Sequence, residues 1–157
     1  MSGTGKFTAG TNYPGILLDL LAYQQSNTVP VPASKSIAVA STAVVYCQSF
    51  PLHRGMTFCW ELQFTSSGTV AVTVELEQAN QPPTTELTAD TAFAIPLDKL
   101  GNYGMFPAGK CSAAATTYIV SYQPDATILG RLKLTGGASN DATTVLSLAR
   151  LYQIKNT

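Results

Sequence analysis

The sequence predicts an all-β protein, an antiparallel β-sandwich of the jelly-roll kind preceded by an extended N-terminal arm. Three observations support this fold class. Hydrophobic and polar residues alternate with period two in several separate runs, as they do in strands that have one buried face. Gly, Pro or Asn bounds each of these runs. No run has both the length and the spacing of a crossover helix, which excludes a parallel α/β fold.

The chain has the length of one domain, because 157 residues can enclose a core of their own. We place an arm at residues 1–15 and the sandwich at residues 16–157. The arm is largely Gly and Thr, a composition that does not fold by itself. Its Lys6, Phe7 and Tyr13 are the candidate partner-binding residues, since aromatic side chains in a polar segment gain most from a neighbour's pocket.

The clearest strand signal is GTVAVTVELEQ, residues 68–78, in which Val70, Val72, Val74 and Leu76 share one face. The run before it, MTFCWELQF at residues 56–64, also places its large apolar side chains on one face. TSSG lies between the two runs and supplies the Gly that a short hairpin loop favours. The sequence therefore predicts that these two strands pair with each other in an antiparallel hairpin.

The C-terminal stretch RLKLTGGASNDATTVLSLARLYQI, residues 131–154, has the same organisation. Two alternating runs flank the polar loop GGASNDA, which predicts a second hairpin with an exposed tip. Further strands are expected at residues 36–41, 42–49, 91–97 and 116–123. From the alternation we predict the following core: Phe58, Trp60, Val70, Val72, Val74, Leu76, Leu132, Leu134, Leu146 and Leu148.

Two segments are less regular. GILLDLLAYQQ, beginning at Gly15, fits a helical face as well as a buried strand, and its context favours the strand. Residues 96–111 contain several Pro and Gly breaks, and we expect a long crossover or surface loop there, with one helical turn as an option.

The composition is poor in charge. Asp, Glu, Lys and Arg make up 11% of the chain, against about 25% in an average globular protein. Nine cationic residues balance nine acidic ones, so the basic surface that nucleic acids require is not expected. A bland surface of Thr, Ala, Ser and Gly suits a protein covered by neighbouring subunits. The opening residues lack a signal-peptide pattern and no apolar run is long enough to span a membrane, so we expect synthesis in a cytosol and no membrane partner.

One constellation could bind metal. Cys47, His53 and Cys59 are spaced six residues apart, and with Cys111 they could form a Cys3His zinc site. Zinc sites of this kind use shorter spacings between their cysteines, however, and a free Cys commonly serves as a small core residue. We therefore expect structural thiols, no metal site and no cofactor.

Catalytic constellations are equally weak. His53 is the only histidine, so a Cys-His dyad would have to use Cys47 or Cys59, and neither lies in a recognisable motif. Glu61, Glu75 and Glu77 fall on adjacent predicted strands and share the polar face, where paired carboxylates could act on a glycosidic bond. Acidic residues on a solvated face more commonly provide solubility. We expect no catalytic residues and no enzymatic activity.

The order of these segments resembles the small jelly-roll and sandwich proteins of tailed bacteriophage virions. The resemblance lies in a soft arm, a run such as GILLDLLAYQQSNTVPVPASKSIAV, the segment WELQFTSSGTVAVTVELEQ and the closing ILGRLKLTGGASNDATTVLSLARLY. It implies a non-enzymatic protein that decorates or cements a capsid, binds major capsid protein subunits and forms a homo-oligomer, with a trimer favoured. The location implied is the virion, after synthesis in the host cytoplasm.

Two alternatives stay open at this point. One is another virion position, at the neck or tail. The other is a carbohydrate-binding or host-binding sandwich module, which outward-facing aromatic side chains would favour. On the predicted strand at residues 56–64 the outward positions hold Thr57, Cys59, Glu61 and Gln63, none of which is aromatic.

Overall fold

The alternating runs form two antiparallel sheets that pack face to face, which confirms the predicted all-β sandwich. The computed structural model describes residues 15–23, 36–52, 56–85, 87–94, 108–122 and 129–155. In chain order its elements are β1 (Gly15–Asp19), α1 (Leu20–Tyr23), β2 (Ile37–Ala38), β3 (Val44–Tyr46), β4 (Phe50–Pro51), β5 (Met56–Thr65), β6 (Val72–Ala79), β7 (Phe93–Ala94), β8 (Ala108–Cys111), β9 (Thr117–Tyr122), β10 (Leu129–Gly136) and β11 (Val145–Lys155).

Sheet 1 has the order β1-β11-β5-β9, with β2 also paired to β11. Sheet 2 has the order β3-β10-β6-β7, with β4 paired to β10 and β8 paired to β6. The run GILLDLLAY, for which a strand and a helix were both considered, forms the strand β1 followed by the single helical turn α1. The favoured strand is therefore correct for the first part of the run. β8 falls at the end of the segment that was expected to be a loop up to residue 111.

Both predicted hairpins are wrong. β5 pairs with β9 and β11 in sheet 1, whereas the next strand, β6, belongs to sheet 2. In the same way β10 lies in sheet 2 and β11 in sheet 1. The two loops that resemble hairpin turns in sequence therefore cross from one sheet to the other. The longest pairings, β5 with β11 and β6 with β10, join strands that are distant in the chain, and local loop composition does not specify them.

The two crossing loops bind each other, which explains why the polar loop after β10 is not fully exposed. Asn140 is buried, and its side-chain Nδ2 donates to the carbonyl of Val39 at 2.6 Å while its Oδ1 accepts from the amide of Ala71 at 2.8 Å. The amide of Asp141 donates to the carbonyl of Thr69 at 2.8 Å. The predicted exposed tip is thus only partly exposed: Ala138, Ser139 and Ala142 are open to solvent, whereas Gly136 and Asn140 are buried.

The core lies between the sheets and contains nine of the ten predicted residues, from Phe58 to Leu146. Leu148 is the exception, because the pairing of β11 with β5 shifts by one residue between Leu146 and Leu148. A bulge of this kind inserts one residue and reverses the alternation beyond it. Ala149 and Leu151 are consequently the buried residues of this half of β11.

The outer surface differs between the sheets. The final four residues of β6 are all buried, because the segment that leads from β6 to β7 lies over this end of sheet 2.

No helix in the described ranges is both long and apolar enough to cross a membrane. Lys6, Phe7, Tyr13 and His53 lie outside the described residues.

Candidate functional site

The covered end of sheet 2 holds a buried ion pair. Arg131 on β10 lies directly opposite Glu77 on β6, and its Nε donates to Oε2 of Glu77 at 2.8 Å. Arg131 is fully buried. This is unexpected, because its neighbours Gly130 and Leu132 face the core and Arg131 therefore points to the outer side of the sheet. Burial of a charged pair is costly, and excellent geometry with further hydrogen bonds is needed to offset that cost.

Two aromatic rings and a backbone carbonyl also contact Arg131. Its guanidinium carbon lies 4.0 Å from the centroid of the Phe93 ring and 4.3 Å from that of Tyr46. Nη1 donates to the carbonyl of Thr88 at 2.8 Å. Such contacts between a cation and ring faces are favourable, and more so away from water. Arg131 therefore fastens the segment between β6 and β7 onto the sheet.

Asp90 organises that segment from within. Its Oδ2 accepts from the amides of Thr84 and Thr85, both at 2.8 Å, and its Oδ1 accepts from the amide of Ala92 at 2.8 Å. These hydrogen bonds, that from Ala92 first, hold the pKa of Asp90 well below its usual range. The Asp90 carboxylate thus accepts hydrogen bonds within its own turn. We therefore interpret the groups at the covered end of sheet 2 as stabilising the fold.

The outer face of sheet 1 carries an open polar cluster. Tyr152 on β11 donates from its hydroxyl to Oε2 of Glu61 at 2.9 Å. In the register of β11 and β5, Arg150 lies opposite Glu61 and Tyr152 lies opposite Cys59. Burial is the main cause that raises the pKa of Tyr152, with a further contribution from Glu61. The bulge in β11 is what turns Tyr152 and Arg150 outward.

The proposed set of acidic residues is not assembled. Glu61 belongs to sheet 1, whereas Glu75 and Glu77 belong to sheet 2, so the expectation that the three share one face is wrong. Glu75 forms an ion pair with Lys133 at 2.9 Å, and Glu77 forms its pair with Arg131. The pairing of β6 with β10 explains both ion pairs, since each acid lies opposite its cation.

The three cysteines are free thiols. Burial raises the pKa of Cys47 to about 12, with Arg131 opposing the shift, and raises that of Cys111 to about 11. Burial and then Glu61 raise the pKa of the half-buried Cys59. No group of three or more His, Cys, Asp and Glu side chains in the described part of the chain is placed to hold a metal ion. The proposed fourth ligand, His53, is outside that part.

A shallow cleft of about 320 Å³ lies beside Cys111, where β6, β8 and the loop after β10 meet. Val70 and Val72 form part of its floor, and Lys110 stands at its edge. The cleft has few polar side chains with which to orient a small molecule, so it does not form a recognisable catalytic site.

Two large apolar side chains are exposed on the described surface. Ile119 on β9 is 71% exposed and Val44 on β3 is 47% exposed. Both stand on strands at the edge of a sheet. Single exposed apolar residues are ordinary, but an edge strand also presents backbone groups that can pair with another chain.

The roles of Arg131 and Tyr152 do not follow from the sequence pattern alone. In RLKL, residues 131–134, Arg131 alternates with leucine, which predicts a solvent-exposed position. Its partner Glu77 becomes evident only from the pairing of β10 with β6. Strict alternation from Leu146 places Tyr152 on the buried face, and the bulge at residue 147 makes this prediction wrong. The candidate partner-binding residues Lys6, Phe7 and Tyr13 stay predictions.

Comparison with models of known protein families gives no match, and comparison with curated proteins gives none either. Among solved structures, an arabinose-bound MgGH51 α-L-arabinofuranosidase is similar with a TM-score of 0.36 and 15% sequence identity. The match covers 90% of this chain and 22% of that protein, so the chain spans about a fifth of its length. A likeness of this degree carries no information about activity.

Proposed function

We propose that the protein is a non-enzymatic structural component of a phage virion that decorates or cements the capsid by bridging its subunits. The observation that supports this most is the state of its charges. Glu75 and Glu77 are neutralised by cations on the neighbouring strand, and Asp90 is satisfied within its turn. Charged residues make up only 11% of the whole chain, and a surface poor in unpaired charge can be covered by neighbours with little cost of removing charge from water.

We also propose that the sandwich is a jelly roll, and the strand order supports this. If β1 with β2, β3 with β4, and β7 with β8 are each taken as one interrupted strand, the chain has eight strands. Their order is then 1-8-3-6 in sheet 1 and 2-7-4-5 in sheet 2. Two sheets of four strands joined by crossing connections form the architecture found in viral capsid and lectin domains. The fold alone does not decide between those functions.

In this proposal the arm at residues 1–15 binds major capsid protein subunits, with Lys6, Phe7 and Tyr13 as its anchors. The protein acts as a homo-oligomer, and three copies are the number that the resemblance implies. Decoration stabilises the shell by mass action, because a protein that binds only the assembled shell shifts the equilibrium toward it. A neck or tail position is the alternative location within the virion.

Removal of residues 2–14 tests the proposal. We expect the shortened chain to keep its far-UV circular dichroism and its unfolding midpoint but to bind phage particles at least about tenfold more weakly. A chain with Lys6, Phe7 and Tyr13 replaced by Ser should behave similarly, while a chain with Thr4, Thr8 and Thr11 replaced by Ser serves as the control. Equal binding of full-length and shortened chains would contradict the role of the arm, and the absence of any binding to particles would contradict the virion function.

Tyr152 favours a second candidate function, the binding of a sugar on a host surface. An outward tyrosine beside Glu61 and Arg150 offers a ring face together with hydrogen-bonding groups, as sugar recognition requires. Titration with a panel of soluble oligosaccharides would test this. A ligand that binds the wild type but not Tyr152→Ala, and that still binds the control Thr117→Ala, would establish the sugar-binding function over the structural one.

A further inference from the structure

β9 forms one edge of sheet 1. On one side it pairs with β5 through six consecutive residue pairs, from Phe58 with Tyr122 to Gln63 with Thr117. No described residue pairs with its other side. At six residues, β9 is the longest edge strand in the described part of either sheet.

Other edge strands carry the features that prevent pairing with foreign strands. β1 has Asp19, β8 has Lys110 and β4 has Pro51, while β2, β3 and β7 are only two or three residues long. Charges, proline and short length are the usual protections of a sheet edge. β9, with the sequence TYIVSY, has none of them.

The strand is also held firmly from inside. Tyr118 and Val120 pack against the core, and the Tyr118 hydroxyl accepts hydrogen bonds from the amides of Ser112 and Ala113, each at 2.9 Å. Outward, Thr117, Ile119 and Ser121 are exposed and uncharged. β9 thus presents a well-packed, neutral edge with an exposed apolar side chain, Ile119, at its centre.

We propose that β9 pairs with β9 of a second copy, antiparallel and about a two-fold axis, so that sheet 1 continues from one copy into the next. An antiparallel edge is complementary to itself, because its donors and acceptors alternate. In a two-fold contact each charge lies near its own counterpart, so a charged edge would repel its copy. β9 and the loop of residues 112–116 before it contain no charged residue, which meets this requirement.

The contact is expected to be weak when isolated. Stable interfaces bury about 1,200–2,000 Å² in total, and an edge of six residues with one large apolar side chain falls below that range. Self-association should therefore depend on protein concentration, and it gains importance where a shell holds copies close together. Two-fold pairing joins copies in pairs, so it differs from a three-fold contact and would link two trimers if both form.

Sedimentation velocity of the full chain over a concentration series tests this inference, with a reducing agent present because the thiols are free. We expect the mean mass to rise toward an even number of copies. Ile119→Lys should weaken this association at least about tenfold, since it places like charges beside the axis. Val44→Lys is the matched control, because it replaces an exposed apolar side chain by the same charge on an edge strand of sheet 2, and it should leave the association unchanged.

Amide hydrogen exchange provides a second readout. Protection of residues 117–122 should increase with concentration in the wild type and not in Ile119→Lys. A protein that stays monomeric at all concentrations, or an oligomer insensitive to Ile119→Lys, would overturn the pairing at β9. A trimer that persists unchanged in both variants would do the same while leaving the proposed virion function intact.

Discussion

Arg131 and Glu77 face each other on neighbouring strands of sheet 2, and a contact of 2.8 Å between Nε and Oε2 joins them on the covered outer side of the sheet. Two residue pairs further along the same two strands, Lys133 and Glu75 form an ion pair at 2.9 Å that is more open to water. The molecule therefore contains a buried and a partly exposed ion pair in matched settings.

This arrangement predicts a large difference between two variants. Arg131→Met should lower the free energy of unfolding by about 3–5 kcal/mol, because it leaves the Glu77 carboxylate buried without its cation. Lys133→Met should cost about 1 kcal/mol or less, because water reaches the carboxylate that remains. Urea unfolding measures both values. Similar losses for the two variants would show that the loop over Arg131 does not exclude water.

Asn140 is the second predicted weak point. Asn140→Ala leaves the carbonyl of Val39 and the amide of Ala71 without their buried partner. We expect a loss of about 2–4 kcal/mol in the free energy of unfolding, since each unsatisfied buried group costs about 1–3 kcal/mol. Ser139→Ala, one residue earlier on the exposed part of the loop, should be nearly neutral. An equal effect of both changes would indicate that the crossing loops are independent of each other.

The segment over sheet 2 should loosen in acid. The pKa of Asp90 is lowered in the folded chain by the hydrogen bonds from Ala92, Thr84 and Thr85. Its contribution to stability is therefore complete above the unfolded pKa of 3.8 and is lost as pH falls toward the lower folded pKa. The amide NMR signals of these three residues should titrate together with a midpoint below 3.8, the ordinary value. Asp90→Asn should abolish this titration, and a midpoint at or above 3.8 in the wild type would contradict the role of Asp90.

The thiols should differ in reactivity. At pH 8 a disulfide reagent is expected to modify Cys59 slowly, because it is half-buried and its pKa is raised. Cys47 and Cys111, with pKa values of about 12 and 11, should not react until the protein unfolds. Mass spectrometry of the labelled chain identifies the sites, and Cys59→Ser should remove native-state labelling. Labelling of folded Cys47 would show that the core opens readily.

Period-two alternation was enough to predict the main strands and a set of core residues of which nine in ten are buried, because one face of a strand is covered along its whole length wherever a sheet packs on it. It identified Trp60, Val74 and Leu132, all of them buried. Alternation says nothing about which strands are neighbours, and the loops after β5 and β10 have the composition of hairpin turns although they cross between sheets. Both hairpin predictions failed for that reason.

The polar sites depended on long-range structure. Arg131 alternates with core residues and would face solvent if no segment covered it, but Phe93 and the carbonyl of Thr88 arrive from a part of the chain some forty residues away. Tyr152 faces outward only because of a bulge, which no residue in LSLARLY announces. Alternation along a strand predicts neither the segment that covers Arg131 nor the bulge in β11.

The bulge in β11 also determines where this strand can change in length. Ser147 is the additional residue opposite β5, and its hydroxyl donates to the carbonyl of Gln63 at 3.1 Å. Deletion of Ser147 would leave a regular ladder in which Ala149 and Leu151 still face the core. Deletion of one residue from the centre of the following stretch would instead bring Tyr152 or its neighbours into the interior. When chains of this architecture are aligned, position 147 is where a gap of one residue can be placed without exchanging the two faces of the strand.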